Sequence, residues 1–171
     1  MNNALMDWSV LLPEIVLASG ICVLLVLDLF VRDSARDLSY LLAIFLLAGV
    51  AWVLIGTSPE STAQLAAGGA YVADDLARVL KLFAVTAVAT VFLYSRPWLR
   101  SRKLHFGEYY VLGLFGLLGV MVLASGYSLL VSYIGLEILS LSLYAMVAFD
   151  RDSARSAEAA MKYFVLGAFA S

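Results

Sequence analysis

Charged side chains are scarce in this sequence. Asp, Glu, Lys and Arg make up 14% of its 171 residues, whereas 63% are hydrophobic. A soluble domain has about 25% charged and about 45–50% apolar residues. A globular protein of this length leaves much of its surface in water and cannot hide so large an apolar excess inside. The composition therefore predicts an integral membrane protein.

Residues needed for several common chemistries are also rare or missing. The single cysteine, Cys22, lies in an apolar stretch and cannot form an internal disulfide or a metal cluster. The sequence contains no glycine-rich nucleotide loop, no CxxC pair and no Ser/His/Asp set. A net charge of −2 gives no support to a nucleic-acid partner. We therefore expect this chain to bind no cofactor, metal ion or nucleic acid itself.

Long apolar runs are what the sequence has instead. A transmembrane helix needs about 20 consecutive apolar residues to cross the hydrocarbon core of a bilayer. Five runs satisfy this, and a sixth begins at residue 159; the five are residues 8–31, 38–56, 76–94, 109–124 and 129–149. We predict an all-α, polytopic transmembrane bundle with five full helices and the start of a sixth. The fourth run has glycines at 113, 116 and 119, which favour the close approach of another helix.

The segments between the runs predict the orientation in the membrane. We interpret residues 57–75 as a polar loop, 95–106 as a basic loop and 150–158 as a charged loop. Residues 1–12, 57–75 and 124–128 contain no Lys or Arg, whereas the segments on the other side hold eight, namely Arg32, Arg36, Arg96, Arg100, Arg102, Lys103, Arg151 and Arg155. Basic residues accumulate on the cytoplasmic side. The N-terminus is therefore expected outside and the basic loops in the cytoplasm.

The main candidate functional residue is Glu137, near the middle of the fifth run. A carboxyl group at the bilayer centre costs several kcal/mol unless it is paired, hydrated or protonated, so such residues usually line a proton or ion path. Tyr133, Ser140 and Tyr144 lie at i−4, i+3 and i+7 from Glu137 and form a polar stripe on one helix face. We expect a proton-binding switch supported by these hydroxyls. The alternative is a structural hydrogen bond between two helices.

Other charged residues inside the runs leave two interpretations open. Lys162 lies one or two turns into the sixth helix and is either a proton relay or a lysine that snorkels to the interface. Arg78 and Lys81, at the start of the third run, either meet a carboxylate of a neighbouring helix or anchor at the outer interface. Glu14 and Asp28 are expected at the membrane interface.

Three stretches of the sequence resemble a known family: GEYYVLGLFGLLGVMVLASGYSLL, YIGLEILSLSLYAMVAFDRD and SARSAEAAMKYFVLGAFAS, which together cover most of residues 107–171. They are similar to subunit N of bacterial respiratory complex I, the proton-pumping NADH:quinone oxidoreductase. The opening LPEIVLASG and the later LDLF also resemble the start of that subunit. The stretch around Glu137 alone suits the wider antiporter-like family, whereas SAEAAMKYFVLGA points to subunit N.

The resemblance implies a role in proton translocation coupled to quinone reduction. The family's essential glutamate of the fifth helix matches Glu137, and its sixth-helix lysine matches Lys162. The lysines of later helices would lie after Ser171, so residues 1–171 are expected to be one transmembrane domain at the N-terminal part of a larger subunit. NADH, flavin, iron–sulfur clusters and quinone would belong to partner subunits. The implied partners are other membrane-arm subunits, lipid and protons, in a bacterial inner membrane with a periplasmic N-terminus.

Two other functions remain open at this stage. A sodium/proton antiporter or a membrane hydrogenase shares the antiporter-like helices, and a carboxylate such as Glu137 suits either ion. A structural or assembly module would use the helices only to pack against other subunits. The central carboxylate argues against this last function, because a scaffold does not need one.

Overall fold

Six helices and one short hairpin make up the part of the chain that the computed structural model describes, which is residues 10–30, 36–56, 64–66, 69–102, 106–150 and 152–170. In chain order the elements are α1 (Leu12–Phe30), α2 (Arg36–Gly56), β1 (Gln64–Ala66), β2 (Tyr71–Ala73), α3 (Asp75–Arg102), α4 (Phe106–Ser125), α5 (Leu129–Val147) and α6 (Ala154–Ala170). The first five helices are long and apolar enough to cross a membrane. The predicted polytopic helical fold is therefore confirmed.

The bundle is built around α4, which packs against α1, α2, α3 and α5. Along this helix Tyr110, Leu114, Leu117 and Met121 are completely buried. Their spacing of three or four residues keeps them on one helix face. Many large apolar side chains of α1, α2 and α3 are exposed instead, as expected for helices whose outer faces meet lipid.

Two segment boundaries differ from the sequence prediction. Residues 95–102, expected in a loop, continue α3 through Pro97 to Arg102, and Leu99 in this extension is fully buried. The charges that suggested a loop lie on a helix whose apolar side still packs on the bundle. At the other boundary, α6 begins at Ala154, because Ser153 accepts a hydrogen bond from the backbone N–H of Ser156 and so caps the helix.

The predicted loop at 57–75 contains the hairpin. β1 and β2 are antiparallel, and the turn includes Gly69 at a positive φ of 87°, which glycine adopts without strain. The hairpin lies on the turn between α4 and α5. There the backbone N–H groups of Tyr127 and Ser128 donate to the carbonyl of Ala70, 3.0 and 3.2 Å away. Three-residue strands are too short to give a clear alternating pattern in the sequence.

Close contact between α4 and α5 confirms the expectation from the glycines. A Cβ atom at Gly119 would lie 2.6 Å from the backbone nitrogen of Leu139 and 2.8 Å from the carbonyl oxygen of Gly135. A Cβ atom at Gly135 would in turn lie 2.8 Å from the backbone nitrogen of Leu123. Each glycine therefore touches the backbone of the other helix, and neither position has room for a side chain.

We expect Gly119→Val to destabilise the bundle by at least about 1–3 kcal/mol, because the added side chain would push two backbones apart. The measurement is the melting temperature of the purified protein in detergent. Gly49→Ala in α2 is the control, since a Cβ atom there would meet no other atom within 4 Å. An equal melting temperature for Gly119→Val and the wild type would show that the helices are not in contact at this point.

Candidate functional site

Glu137 is the ninth of the 19 residues of α5 and is partly buried. Gly135 and Leu139 contact α4, and Ser142 of the same helix lies 3.2 Å from where a Cβ atom of Gly116 would be. Two positions along a helix turn it by slightly more than half a revolution. Glu137, two positions from both Gly135 and Leu139, therefore lies on the face of α5 opposite α4. The carboxyl group sits mid-helix and outside the tight α4–α5 interface.

The predicted polar stripe is partly assembled around this carboxyl group. The hydroxyl of Tyr133, one turn towards the N-terminal end of α5, interacts with Glu137. Ser140 is partly buried and shares the same face by helical spacing. Tyr144 packs its ring against Tyr163 and Phe164 of α6, with ring centroids 4.9 and 5.6 Å apart. The stripe therefore faces the side of α5 on which α6 packs.

The Tyr144 hydroxyl lies directly against the backbone of α6. A Cβ atom at Gly167 would overlap this hydroxyl, so only glycine admits the ring at this position. Helical side chains lean towards the N-terminal end of their helix. Tyr144 therefore reaches from its own level towards that of Glu137, and α6 covers this part of the stripe.

Lys162 is the middle residue of α6 but does not meet Glu137. Its ammonium group pairs with Glu158 one turn earlier, and its side chain is 70% exposed. Tyr163, Phe164 and Gly167 are the residues of α6 that contact Tyr144. Lys162, two positions from Phe164, projects away from α5. Of the predicted site residues, Tyr133 thus interacts with Glu137, and Tyr144 packs against α6. Lys162 lies apart from Glu137.

Arg78 and Lys81, the two cations near the start of α3, both contact neighbouring elements of the bundle. Arg78 donates from Nε and Nη2 to the carbonyl oxygens of Leu54 and Ile55, both at 2.9 Å. It thereby caps the C-terminal end of α2, where a positive charge is favourable. Asp74 caps the N-terminal end of α3, because its carboxylate accepts a hydrogen bond of 2.7 Å from the backbone N–H of Ala77.

An ionic cluster around Lys81 lies at the same end of the bundle. The sequence allowed a carboxylate partner of Lys81 on a neighbouring helix but did not identify which residue it is. Lys81 is 4% exposed, and its Nζ is 2.6 Å from Oε1 of Glu14 and 3.1 Å from the hydroxyl of Tyr71. Burial, and then the neighbouring Glu14 carboxylate, raise the pKa of Tyr71. Glu14, expected at the membrane interface, lies in the first turn of α1 and is only 5% exposed because it packs inside the bundle. The feature of the sequence that indicated an ion pair was Lys81 itself, a cation on the polar face of α3.

Asp28 joins three helices near the opposite end. Its Oδ1 accepts a hydrogen bond of 2.5 Å from the hydroxyl of Ser39 in α2. Its carboxylate also occupies the space of a side chain at Gly107, in the first turn of α4. A negative charge beside the N-terminal end of a helix is favourable. Asp28 is therefore a packing residue as well as a group near the end of α1.

Comparisons with known proteins agree with this architecture. Residues 126–171, which contain Glu137 and Lys162, match the family model described as NADH:quinone oxidoreductase/Mrp antiporter, transmembrane. NADH-quinone oxidoreductase subunit N of Thioalkalivibrio sulfidiphilus is 52% identical over 96% of this chain and 34% of its own length. The protein of the same name from Thiobacillus denitrificans is 49% identical over 100% of this chain and 35% of its own.

A solved structure shares the fold. A chain of respiratory complex I from Thermus thermophilus, determined with bound aureothin, superposes with a TM-score of 0.73 at 28% identity, over 92% of this chain and 33% of that one. These matches define an antiporter-like membrane protein. The chain belongs to the subunit N family of NADH-quinone oxidoreductases. It spans about a third of the length of the relatives that it matches.

Proposed function

We propose that this chain is part of a membrane-arm subunit of a bacterial NADH:quinone oxidoreductase and takes part in proton translocation across the inner membrane. Glu137 carries the proposal. It is an ionisable carboxyl group in the middle of a membrane-crossing helix, outside the α4–α5 interface. The similarity to subunit N extends over essentially the whole chain and supports the same role.

In this proposal Glu137 binds and releases a proton, with Tyr133 and Tyr144 as supporting hydroxyl groups. A carboxylate in a medium of low dielectric constant is stable only near a positive charge or a hydrogen-bond donor. The Tyr133 hydroxyl supplies one donor. The arrival or withdrawal of a nearby cation would then decide whether the proton stays. We assign the electron-transfer chemistry to partner subunits.

The orientation proposed for the chain has the N-terminus in the periplasm. The inner ends of α3 and α6 carry the exposed residues Arg100 and Arg155. The outer loop forms the hairpin and contains no Lys or Arg. This asymmetry follows the preference of basic residues for the cytoplasmic side.

The test is a Glu137→Leu variant of the full-length subunit in its complex. We expect the complex to assemble and to oxidise NADH with a soluble electron acceptor, but to lose proton pumping in membrane vesicles. Asp152→Asn, which neutralises an exposed carboxylate just before α6, is the control and should pump normally. A purely structural subunit would assemble and pump as well with the leucine substitution as with the native glutamate, and that result would refute the proposal.

Lys162 is proposed as an auxiliary proton relay. Because it projects away from α5 and pairs with Glu158, we expect Lys162→Ala to lower the pumping rate severalfold without abolishing it. The rate is measured in the same vesicles, and Arg155→Ala, another exposed cation of α6, is the matched control. An unchanged rate would assign Lys162 to snorkelling.

A second candidate is sodium/proton exchange, because the matching family model also describes Mrp antiporters. Carboxylates bind either ion, so Glu137 does not decide between them. Transport is measured with and without sodium in the assay buffer. Proton pumping that is independent of sodium supports the first proposal, whereas a strict requirement for sodium supports the second.

A further inference from the structure

The cluster around Lys81 connects four elements at the hairpin end of the bundle. Glu14 belongs to α1, Tyr71 to β2 and Lys81 to α3, and Ser125 is the last residue of α4. Their exposed fractions are 5%, 3%, 4% and 0%. All four polar groups are therefore removed from bulk solvent, and their hydrogen bonds must be made inside the protein.

The polar atoms of this cluster are only partly paired by one another. The Lys81 ammonium group donates to Tyr71 and lies 2.6 Å from Glu14 Oε1. Among the described residues, however, no hydrogen bond reaches Glu14 Oε2 or the hydroxyl oxygen of Ser125, and both atoms are buried. Tyr71 lies close to both Glu14 and Ser125, while the buried Oε2 and Oγ atoms of these two residues have no hydrogen bond within the described part of the chain.

A count of donors and acceptors indicates what is missing. An ionised carboxylate has about four acceptor positions, and an ammonium group has three donors. The attraction within a buried ion pair repays its desolvation only when further hydrogen bonds satisfy the remaining positions. A water molecule supplies two donors and accepts from a hydroxyl or ammonium group, and buried waters typically make about three such bonds.

We propose that Glu14, Tyr71, Lys81 and Ser125 form a binding site for one or more resident water molecules that complete the ion pair. The water donates to the Glu14 carboxylate and accepts from the Ser125 hydroxyl. This site ties the hairpin and α1 to α3 and α4. The proposal is independent of the proposed function, because it involves none of the residues around Glu137.

The test is the thermal stability of the assembled complex with Ser125→Ala in the full-length subunit. A buried hydroxyl group that is hydrogen-bonded to a water molecule stabilises the fold, so removing the hydroxyl should lower the melting temperature by roughly 2–4 °C. A buried hydroxyl without a partner is unfavourable, so in a dry site the same change would leave the melting temperature equal or raise it. The control is Ser19→Ala, at an exposed residue of α1.

A second measurement examines the site directly. A cryo-electron-microscopy map of the wild-type complex that resolves water should contain a density peak within hydrogen-bonding distance of both the Glu14 carboxylate and Ser125 Oγ. A map in which Ser125 Oγ instead bonds directly to Tyr71 or Glu14, with no peak between them, would overturn the proposal, as would an unchanged or raised melting temperature of Ser125→Ala.

Discussion

Lys81→Met in the full-length subunit is expected to destabilise the bundle by about 3–5 kcal/mol, which is the usual effect of removing one partner from a buried ion pair. The substitution leaves the Glu14 carboxylate enclosed by α1, β2 and α3 without its cation. Methionine keeps most of the length of the lysine side chain, so lost packing contributes little. The measurement is the melting temperature and the yield of the assembled complex.

The double variant Glu14→Gln, Lys81→Met separates charge from packing. Removing both charges of a buried pair is often close to neutral, so we expect the double variant to recover most of the lost stability. Arg155→Met, which removes an exposed cation at the start of α6, should have little effect. If Lys81→Met were as stable as the wild type, the ion pair would not be a buried one in the membrane.

Glu137→Gln is expected to abolish proton pumping, whereas Glu137→Asp should retain part of it. Glutamine keeps the size and hydrogen-bonding shape of the side chain but cannot exchange a proton, and aspartate keeps the carboxyl group one methylene further from its neighbours. The rates are measured in membrane vesicles that oxidise NADH. Assembly of both variants is verified by NADH oxidation with a soluble acceptor, which does not require the membrane path.

The comparison of the pumping rates of these two variants decides the role of Glu137. Equal loss in Glu137→Gln and Glu137→Asp would indicate that position and not chemistry is essential. Normal pumping by Glu137→Gln would remove this residue from the proton path. Neither outcome would affect the proposed water site at the hairpin end of the bundle, because that cluster uses α1, β2, α3 and α4.

The sequence predicted the helices well because each has to be long and apolar to cross a bilayer. The glycine spacing of α4 also predicted close contact with another helix, and the structure shows at Gly119 that this helix is α5. The predicted helix boundaries were wrong where charged residues continue a helix beyond its apolar run, as in residues 95–102 of α3. A helix can continue through polar residues when one side still packs on the protein, and composition does not reveal this.

The candidate site was predictable only within one helix. Helical spacing placed Tyr133 and Tyr144 on the face of Glu137, and the structure brings Tyr133 to the carboxyl group. Partners on different helices were not predictable from spacing. Glu14 and Lys81 are 67 positions apart in the sequence and meet only because the fold brings the beginnings of α1 and α3 close to each other beside β2. Lys162, although mid-helix, projects away from α5 and pairs with Glu158 four positions earlier in its own helix instead of Glu137.

Infrared difference spectroscopy of the working complex tests the central claim most directly, because it detects the protonated carboxyl group itself. Spectra are recorded with and without turnover on NADH and quinone, for the wild type and for Glu137→Gln. The account predicts a carbonyl-stretch band of a protonated carboxyl group that changes during turnover in the wild type and is absent from the variant. An identical carboxyl spectrum in both proteins would contradict the claim that Glu137 gains and loses a proton.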